Sequence, residues 1–294
     1  MLHGLFFLLI PVVILAGCLS LSPPAVRWPD DPIVYQPSPF PNGDWRPMAL
    51  QFEDANFEAD DGTKLHGWFC PCENPRAVVL FAHGNAGNVS HRADRLRMLQ
   101  HDMHVAVLTF DYRGYGRSQG VPSETGVLRD ARAARRWLAE RTGVQETEIV
   151  LMGESLGGGV AVDLAAKDGA AGLILESTFT SLPDVAQKQA PYLPAKMLMH
   201  NRLNSLSKIS NYQGPLLIAH GDADRLIPLA QARQLLEAAP GPKHLVVIPG
   251  AGHNWAPTAE YQQQLDFRSE SRDGCVAVSD GRCAARRHRR ATGR

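Results

Sequence analysis

Ser155 has the sequence setting of a catalytic nucleophile. It lies in the sequence GESLG at 153–157, directly after an apolar run and directly before a run of small residues. This is the G-x-S-x-G pattern of a nucleophilic serine on a sharp turn between a strand and a helix. The glycines allow the two elements to pack closely, and the N-terminus of the helix stabilises negative charge near the serine.

An acid and a base follow Ser155 along the chain, each after its own strand-like run. Asp222 and Asp224 follow the run at 215–220, and His253 follows the run at 243–249. A serine nucleophile needs a histidine that accepts its proton and a carboxylate that orients the imidazole. We predict a catalytic triad of Ser155, Asp224 and His253, with Asp222 as the alternative acid.

The loop at 83–88 is a candidate for stabilising the negative charge that forms on a substrate during acyl transfer. Its sequence is HGNAGN, and it follows the apolar strand-like run at 77–82. Acyl transfer at a serine needs backbone N–H donors from the residue after the nucleophile and from an earlier loop of this kind. We predict that the N–H groups of Asn85 and Leu156 form the oxyanion hole, and that His83 braces the loop.

Alternating strands and helices must position these residues. After residue 76, the alternation predicts a mostly parallel sheet with helices on both faces. The first two strands, joined by residues 60–62, predict a hairpin at an antiparallel edge. The predicted strands are 51–59, 63–70, 76–82, 104–110, 148–153, 172–177, 215–220 and 243–249, and the predicted helices are 89–101, 123–142, 156–168 and 228–239.

Several motifs between about residue 50 and residue 255 match one known group of proteins. The chain resembles the α/β-hydrolase superfamily, and within it the small-capped serine hydrolases related to the yeast bud-emergence protein family. GESLGG and GAGH occur across the superfamily, whereas HGNAGN together with DYRGYGRS is more specific to this group. The matching segments are HGNAGN (83–88), DYRGYGRSQGVPSE (111–124), GESLGG (153–158), ESTFTSL (176–182), HGDADRLIP (220–228) and GAGH (250–253).

The resemblance implies an α/β-hydrolase fold, with a mostly parallel eight-stranded sheet, helices on both faces and a small helical cap. The segment at about 181–212, which contains three prolines and a Met/Leu-rich stretch, corresponds to the cap. Its alternative is an excursion packed on the core. The acid loop of the superfamily carries its aspartate at the position of Asp224, which makes Asp222 a turn or capping residue.

The motifs and the resemblance together predict a serine hydrolase that cleaves carboxylic esters or thioesters, with acyl or lipid-like compounds as substrates. Two alternatives are a peptidase of the same fold and a non-catalytic envelope lipoprotein. No cofactor or metal is expected, because Cys70 and Cys72 are too close in sequence for a zinc-binding pair. The natural substrate, the pairing of the cysteines and the oligomeric state are left open.

The N-terminus predicts export and attachment to a membrane. Residues 5–16 are apolar but too few for a membrane span, which is typical of a signal peptide, here 1–17. The following LAGC resembles a bacterial lipobox, in which Cys18 carries the lipid. Because Leu19 rather than Asp follows the cysteine, the outer membrane is the expected location if the source is Gram-negative. The n-region has no Lys or Arg, so an uncleaved anchor is the alternative.

The remainder of the chain divides into three segments that differ in amino-acid composition. Residues 18–47 are rich in proline and predict a stiff spacer, and 48–267 predict the α/β-hydrolase domain. The segment 268–294, with eight Arg against three acidic residues, predicts a disordered basic tail. A net charge of zero and 44% apolar residues suit one compact core, and no nucleic-acid partner is expected.

Overall fold

An eight-stranded sheet forms the centre of the computed structural model, which describes residues 28–265. The strands are Glu53–Glu58 (β1), Lys64–Cys70 (β2), Val78–Ala82 (β3), Ala106–Phe110 (β4), Val150–Glu154 (β5), Gly172–Glu176 (β6), Leu216–Gly221 (β7) and Lys243–Ile248 (β8). Across the sheet they lie in the order β8-β7-β6-β5-β3-β4-β2-β1.

Six strands of this sheet, β3 to β8, pair in parallel with one another, and of the eight strands only β2 runs in the opposite direction. The hairpin of β1 and β2 is antiparallel, and β2 joins the rest through an antiparallel pairing with β4. The mixed sheet with an antiparallel edge, predicted from the sequence, is therefore confirmed. Because parallel strands end at the same edge, the loops after β3, β5, β7 and β8 meet there, as is usual for ligand sites in open α/β sheets.

Helices cover both faces of the sheet, as predicted. Along the central strands, neighbouring side chains enter two different apolar clusters: Val79 packs into one and Leu80 into the other. The helical segments are Asp31–Val34, Val89–Arg92, Ala93–Arg97, Met98–Asp102, Glu124–Thr142, Glu146–Glu148, Leu156–Asp168, Leu182–Gln189, Ala195–Leu198, Leu206–Ile209, Leu229–Ala238 and Ala259–Gln264. Between residues 28 and 265, none of the helices is long and apolar enough to cross a lipid bilayer.

The helix Glu124–Thr142 shows how local sequence sets its bounds. The Ser123 hydroxyl accepts a hydrogen bond from the Gly126 N–H at 3.2 Å and so caps the first turn. The helix ends at Gly143, whose φ of 74° is unfavourable for residues with a side chain. Between these ends, one apolar face packs into the core, as the sequence predicts for 123–142.

One predicted helix has a more complex backbone than its periodicity indicates. The stretch predicted as a helix at 89–101 contains a 3₁₀ turn, Val89–Arg92, a short α-helix, Ala93–Arg97, and a π turn, Met98–Asp102. Side-chain periodicity reports which face is buried, and segments of 4 or 5 residues are too short for their separate periods to be read from the sequence.

The start of the described chain differs from the predicted spacer. Asp30 and Asp31 are buried, and the side chain of Asn201 donates hydrogen bonds to both carboxylates. Residues 36–37 then pair with 86–87 as a short parallel ribbon. Residues 30–37 are thus part of the folded domain, because their partners lie far away in sequence.

The signal peptide 1–17, Cys18 and the tail 268–294 lie outside the described residues.

Candidate active site

Ser155 occupies a strained turn between β5 and the helix Leu156–Asp168. Its φ of 50° and ψ of −112° are unfavourable for a residue with a side chain. Neighbouring glycines make this turn possible. A Cβ on Gly153 would lie 2.3 Å from the Gly157 carbonyl oxygen, and a Cβ on Gly157 would lie 1.9 Å from the Ala82 carbonyl oxygen. Both positions therefore require glycine.

Ser155, His253 and Asp224 form a continuous hydrogen-bonded chain. His253 Nε2 lies 3.1 Å from Ser155 Oγ, and His253 Nδ1 lies 2.8 Å from Asp224 Oδ2. Since a carboxylate can only accept, the imidazole donates from Nδ1, and Nε2 is left to accept the serine proton. The structure thus brings the three predicted residues together from positions up to 98 residues apart.

The loop after β7 holds the Asp224 carboxylate in its charged form. Asp224 Oδ1 accepts hydrogen bonds from the N–H groups of Leu226 and Ile227, at 2.9 and 2.8 Å. Burial alone would raise the pKa of Asp224, but hydrogen bonds from His220, His253 and the Ile227 N–H outweigh burial and lower that pKa. An ionised carboxylate is the form that stabilises a protonated His253.

Asp222 and His220 have supporting positions in the same loop. Asp222 Oδ1 accepts a hydrogen bond from the Gly250 N–H at 2.7 Å, so this carboxylate joins the acid loop to the loop that carries His253. His220 is buried, and its Nε2 donates to the Ile227 carbonyl oxygen at 2.7 Å. The turn or capping role expected for Asp222 is compatible with this contact, and the His220 hydrogen bond braces the acid loop.

The 83–88 loop is fixed by hydrogen bonds to its backbone carbonyls. Tyr115 donates to the Asn85 carbonyl oxygen at 2.8 Å, and Tyr112 donates to the His83 carbonyl oxygen at 2.8 Å. Asn85 and Leu156 both line the cavity that contains Ser155. The position of both residues suits the predicted oxyanion hole, while the donor role of their N–H groups stays a prediction.

His83 braces this loop and is uncharged at neutral pH. Its side chain is fully buried, and Nδ1 donates to the Gly84 carbonyl oxygen at 2.7 Å. Burial, with a further contribution from the positive charge of Arg92, lowers the pKa of His83 to about 4.

The sequence did not predict the buried polar network behind Ser155, although Glu176 opens the matching segment ESTFTSL. The Ser155 N–H donates to the backbone carbonyl of Glu176 at 2.9 Å. The Glu176 carboxylate accepts hydrogen bonds from Arg95, at 2.8 Å, and from the Tyr261 hydroxyl. Burial raises the pKa of Glu176, and Arg95 offsets part of this effect. The partners lie 81 and 85 positions from Glu176, which is why local patterns do not reveal them.

Ser155 opens into a cavity of about 550 Å³ with largely apolar walls. About half of the lining residues lie between 179 and 199, and the others come from the start of the described chain, the 83–88 loop, the turn at Ser155 and the acid loop. Side chains that contribute to it include Val34, Phe179, Leu182, Val185, Leu193 and Met199. Within residues 28–265, no group of three His, Cys, Asp or Glu side chains could hold a metal ion.

Comparisons with known proteins identify the family. A family model described as serine aminopeptidase, S33, matches residues 73–208. An uncharacterized protein of Mycobacterium tuberculosis is 37% identical over 83% of this chain and 88% of its own length. Protein bem46 of Schizosaccharomyces pombe is 33% identical over 68% of this chain and 71% of its own length.

Among solved structures, an esterase from Pyrococcus furiosus has a similar fold. The TM-score is 0.61 at 19% identity, over 74% of this chain and 90% of the esterase chain. This similarity concerns the fold, whereas the relationship to bem46 is close enough to establish the family. The chain is a hydrolase of the α/β-hydrolase superfamily, in the group that includes bem46.

Proposed function

We propose that this protein is a serine hydrolase that cleaves carboxylic esters or thioesters of acyl, lipid-like compounds. One observation carries the proposal: Ser155, which is hydrogen-bonded through His253 to Asp224, lines an apolar cavity. The chain supplies an activated nucleophile, and the cavity offers an acyl group a surface on which it leaves water.

The proposed reaction has two steps. His253 Nε2 takes the proton of Ser155 as Oγ attacks the carbonyl carbon, and the N–H groups of Asn85 and Leu156 donate to the oxyanion. When the oxyanion collapses, the bond to the leaving alcohol or thiol breaks, and the leaving group receives the proton from His253. Water then attacks the acyl-enzyme in the same way, which releases the acid and restores Ser155.

The walls of the cavity favour an acyl substrate over a peptide with a free N-terminus. An aminopeptidase needs carboxylates that pair with the substrate's ammonium group. Among the described residues that line the cavity, Asp30 is the only carboxylate. Its Oδ2 already accepts hydrogen bonds from the N–H groups of His200 and Asn201. The peptidase alternative therefore lacks an obvious ammonium site.

A fluorophosphonate probe tests the enzymatic proposal directly. The probe reacts with an activated serine, so the parent protein should become labelled and the Ser155→Ala variant should not. Equal labelling of both proteins would mean that Ser155 is not the nucleophile. A parent protein that stays unlabelled would favour the non-catalytic lipoprotein.

The class of substrate is tested with p-nitrophenyl esters of increasing chain length, alongside an acyl thioester and an aminoacyl anilide. We expect kcat/KM to rise with chain length, because each added methylene leaves water in the cavity. Faster cleavage of the anilide than of every ester would contradict the proposal and support a peptidase.

We also propose that the protein is exported and held at a membrane by lipid on Cys18. The support is the sequence LAGC at 15–18. Metabolic labelling with an alkyne fatty acid should mark the parent protein but not the Cys18→Ser variant. Equal labelling of the two would exclude Cys18 as the lipid-bearing residue.

A further inference from the structure

The mouth of the cavity is surrounded by exposed apolar side chains. Tyr192 and Met197 are 84% and 83% exposed, and Ile33 is 75% exposed. Four of the exposed residues, Ile33, Leu193, Leu198 and Leu226, also line the cavity. We name the following set the apolar rim: Ile33, Tyr192, Leu193, Met197, Leu198 and Leu226.

The apolar rim is built from three separate parts of the chain that are fixed to one another. The side chain of Gln189 donates to the carbonyl oxygens of Arg225 and Leu226, which ties the helix Leu182–Gln189 to the acid loop. At the other side, the Trp28 ring stacks on His200 with 3.6 Å between ring centroids. Soluble monomers seldom leave several large apolar side chains exposed around one cavity, which indicates that a partner covers the rim.

The charges around the rim indicate which partner that is. Between residues 181 and 205 the chain has two Lys and one Arg against a single Asp. That carboxylate, Asp184, is paired with Lys196 at 2.9 Å. Lys188, one of these two Lys residues, is exposed, and so is Arg225, next to Leu226 of the rim. An apolar centre with a basic perimeter suits the surface of a bilayer that contains anionic lipids.

We propose that the apolar rim docks on a bilayer of anionic phospholipids, so that acyl substrates enter the cavity directly from the membrane. Only this direction of entry rests on the proposed function; the docking itself does not require catalysis. Lipid on Cys18 would hold the rim near the surface. The ten positions from Cys18 to Trp28 span at most about 35 Å when fully extended.

Fluorescence quenching by lipid tests the docking without using activity. The full chain with Tyr192→Trp is reconstituted in phosphatidylglycerol vesicles whose acyl chains carry bromine, and the parent spectrum is subtracted. We expect strong quenching of the added tryptophan. Met48→Trp is the matched control, because Met48 is 87% exposed and lies outside the rim, where Arg97 donates to its carbonyl oxygen. This second reporter should stay unquenched.

Two results from the Tyr192→Trp variant would overturn the proposal. If brominated lipid leaves the signal of the added tryptophan unchanged while aqueous acrylamide quenches it, the rim faces water. If both quenchers leave that signal unchanged, protein covers the rim, either residues 1–27 of this chain or a second copy.

Activity provides a second, independent measurement. The double variant Tyr192→Ser/Met197→Ser should hydrolyse a soluble short-chain ester at the parent rate, since neither side chain lines the cavity. Its rate on a long-chain ester in anionic vesicles should fall about fivefold, as two apolar contacts with the bilayer are lost. Met48→Ser should leave both rates unchanged. Parent rates of the double variant on both substrates would contradict the proposal.

Discussion

The floor and the roof of the cavity are built in opposite ways. At the floor, Ser155 and Asp224 follow buried strands, and the surrounding carbonyls and carboxylates are hydrogen-bonded to partners across the domain. The roof, residues 182–199, contains two short helices, Leu182–Gln189 and Ala195–Leu198. In these two helices only Pro183 and Ala195 are buried.

Because of this difference, the residues that carry out the reaction are separate from the residues that select the substrate. A displacement of about 1 Å at the floor is expected to cost about a hundredfold in rate, because the reacting atoms must be aligned. The roof makes fewer buried contacts, so its side chains can change with little loss of stability. Floor substitutions should therefore affect every substrate, and roof substitutions should affect some substrates more than others.

The largest effect is expected at the floor, from Asp224→Asn. The amide oxygen can still accept from Leu226 and Ile227, but the charge and the correct His253 tautomer are lost. We expect kcat/KM to fall about 10⁴-fold on every ester. Asp222→Asn is the matched control and should cost less than about tenfold, since only its hydrogen bond to Gly250 is changed. Equal losses in the two variants would contradict the assignment of the acid.

Gly157→Ala tests the close packing under Ser155. The added Cβ would lie 1.9 Å from the Ala82 carbonyl oxygen, and backbone must move to relieve the clash. We expect the free energy of unfolding to fall by about 3 kcal/mol, measured by urea denaturation. Gly252→Ala is the control, because nothing lies within 4 Å of a Cβ at that position. If both variants were equally stable, the proposed packing constraint would be wrong.

His83 should make the stability of the floor depend on pH. Its ordinary pKa of 6.5 applies to the unfolded chain, and burial lowers the pKa to about 4 in the folded protein. The unfolded state therefore binds more protons between these values, and stability falls as the pH falls through this window. Between pH 7 and pH 4.5, this loss should reach about 2 kcal/mol.

The contribution of His83 to the pH dependence of stability is measured as the difference between the parent and a variant. The contributions of the other titrating groups cancel in this difference. Urea denaturation of the parent and of His83→Gln is compared at pH 7 and pH 4.5. The variant should lose less stability than the parent over this interval. The same loss in both proteins would show that His83 is not the group responsible.

The smallest effect, and the most selective, is expected at the roof from Ala186→Phe. Ala186 lines the cavity, so a phenyl ring would occupy space that a long acyl chain needs. We expect kcat/KM to fall about tenfold for long-chain esters and to change little for the acetate ester. Gln187→Phe, at a neighbouring position that does not line the cavity, should leave the profile unchanged. A uniform loss over all chain lengths would contradict the separation of floor and roof.

The strands and the three triad residues could be predicted because their signals are local. Ser155 directly follows a strand, Asp224 and His253 lie in the short loops after two others, and parallel strands place such positions at one edge. The sequence therefore predicts which residues meet, even when almost a hundred positions separate them.

The residues that hold the catalytic site in place could not be predicted in the same way. Glu176 meets Arg95 and Tyr261 through the packing of three distant elements, and the segment ESTFTSL that Glu176 opens indicates neither partner. Residues 30–37 have the proline-rich composition of a linker, yet Asp30 is buried against Asn201. In both cases the partner, and not the local pattern, determines the structure.

His253, the general base of the triad, follows β8, which is the outermost strand on its side of the sheet. Among the strands of residues 28–265, β8 pairs only with β7, and the side chains of Lys243 to Val247 are half-buried or exposed. Strand ends with few buried contacts open locally before the whole domain unfolds. Inactivation by mild heat or denaturant should therefore precede melting, with amide hydrogen exchange fastest in β8 among the parallel strands. The enzyme would then lose its activity while its spectrum still resembled that of the native protein.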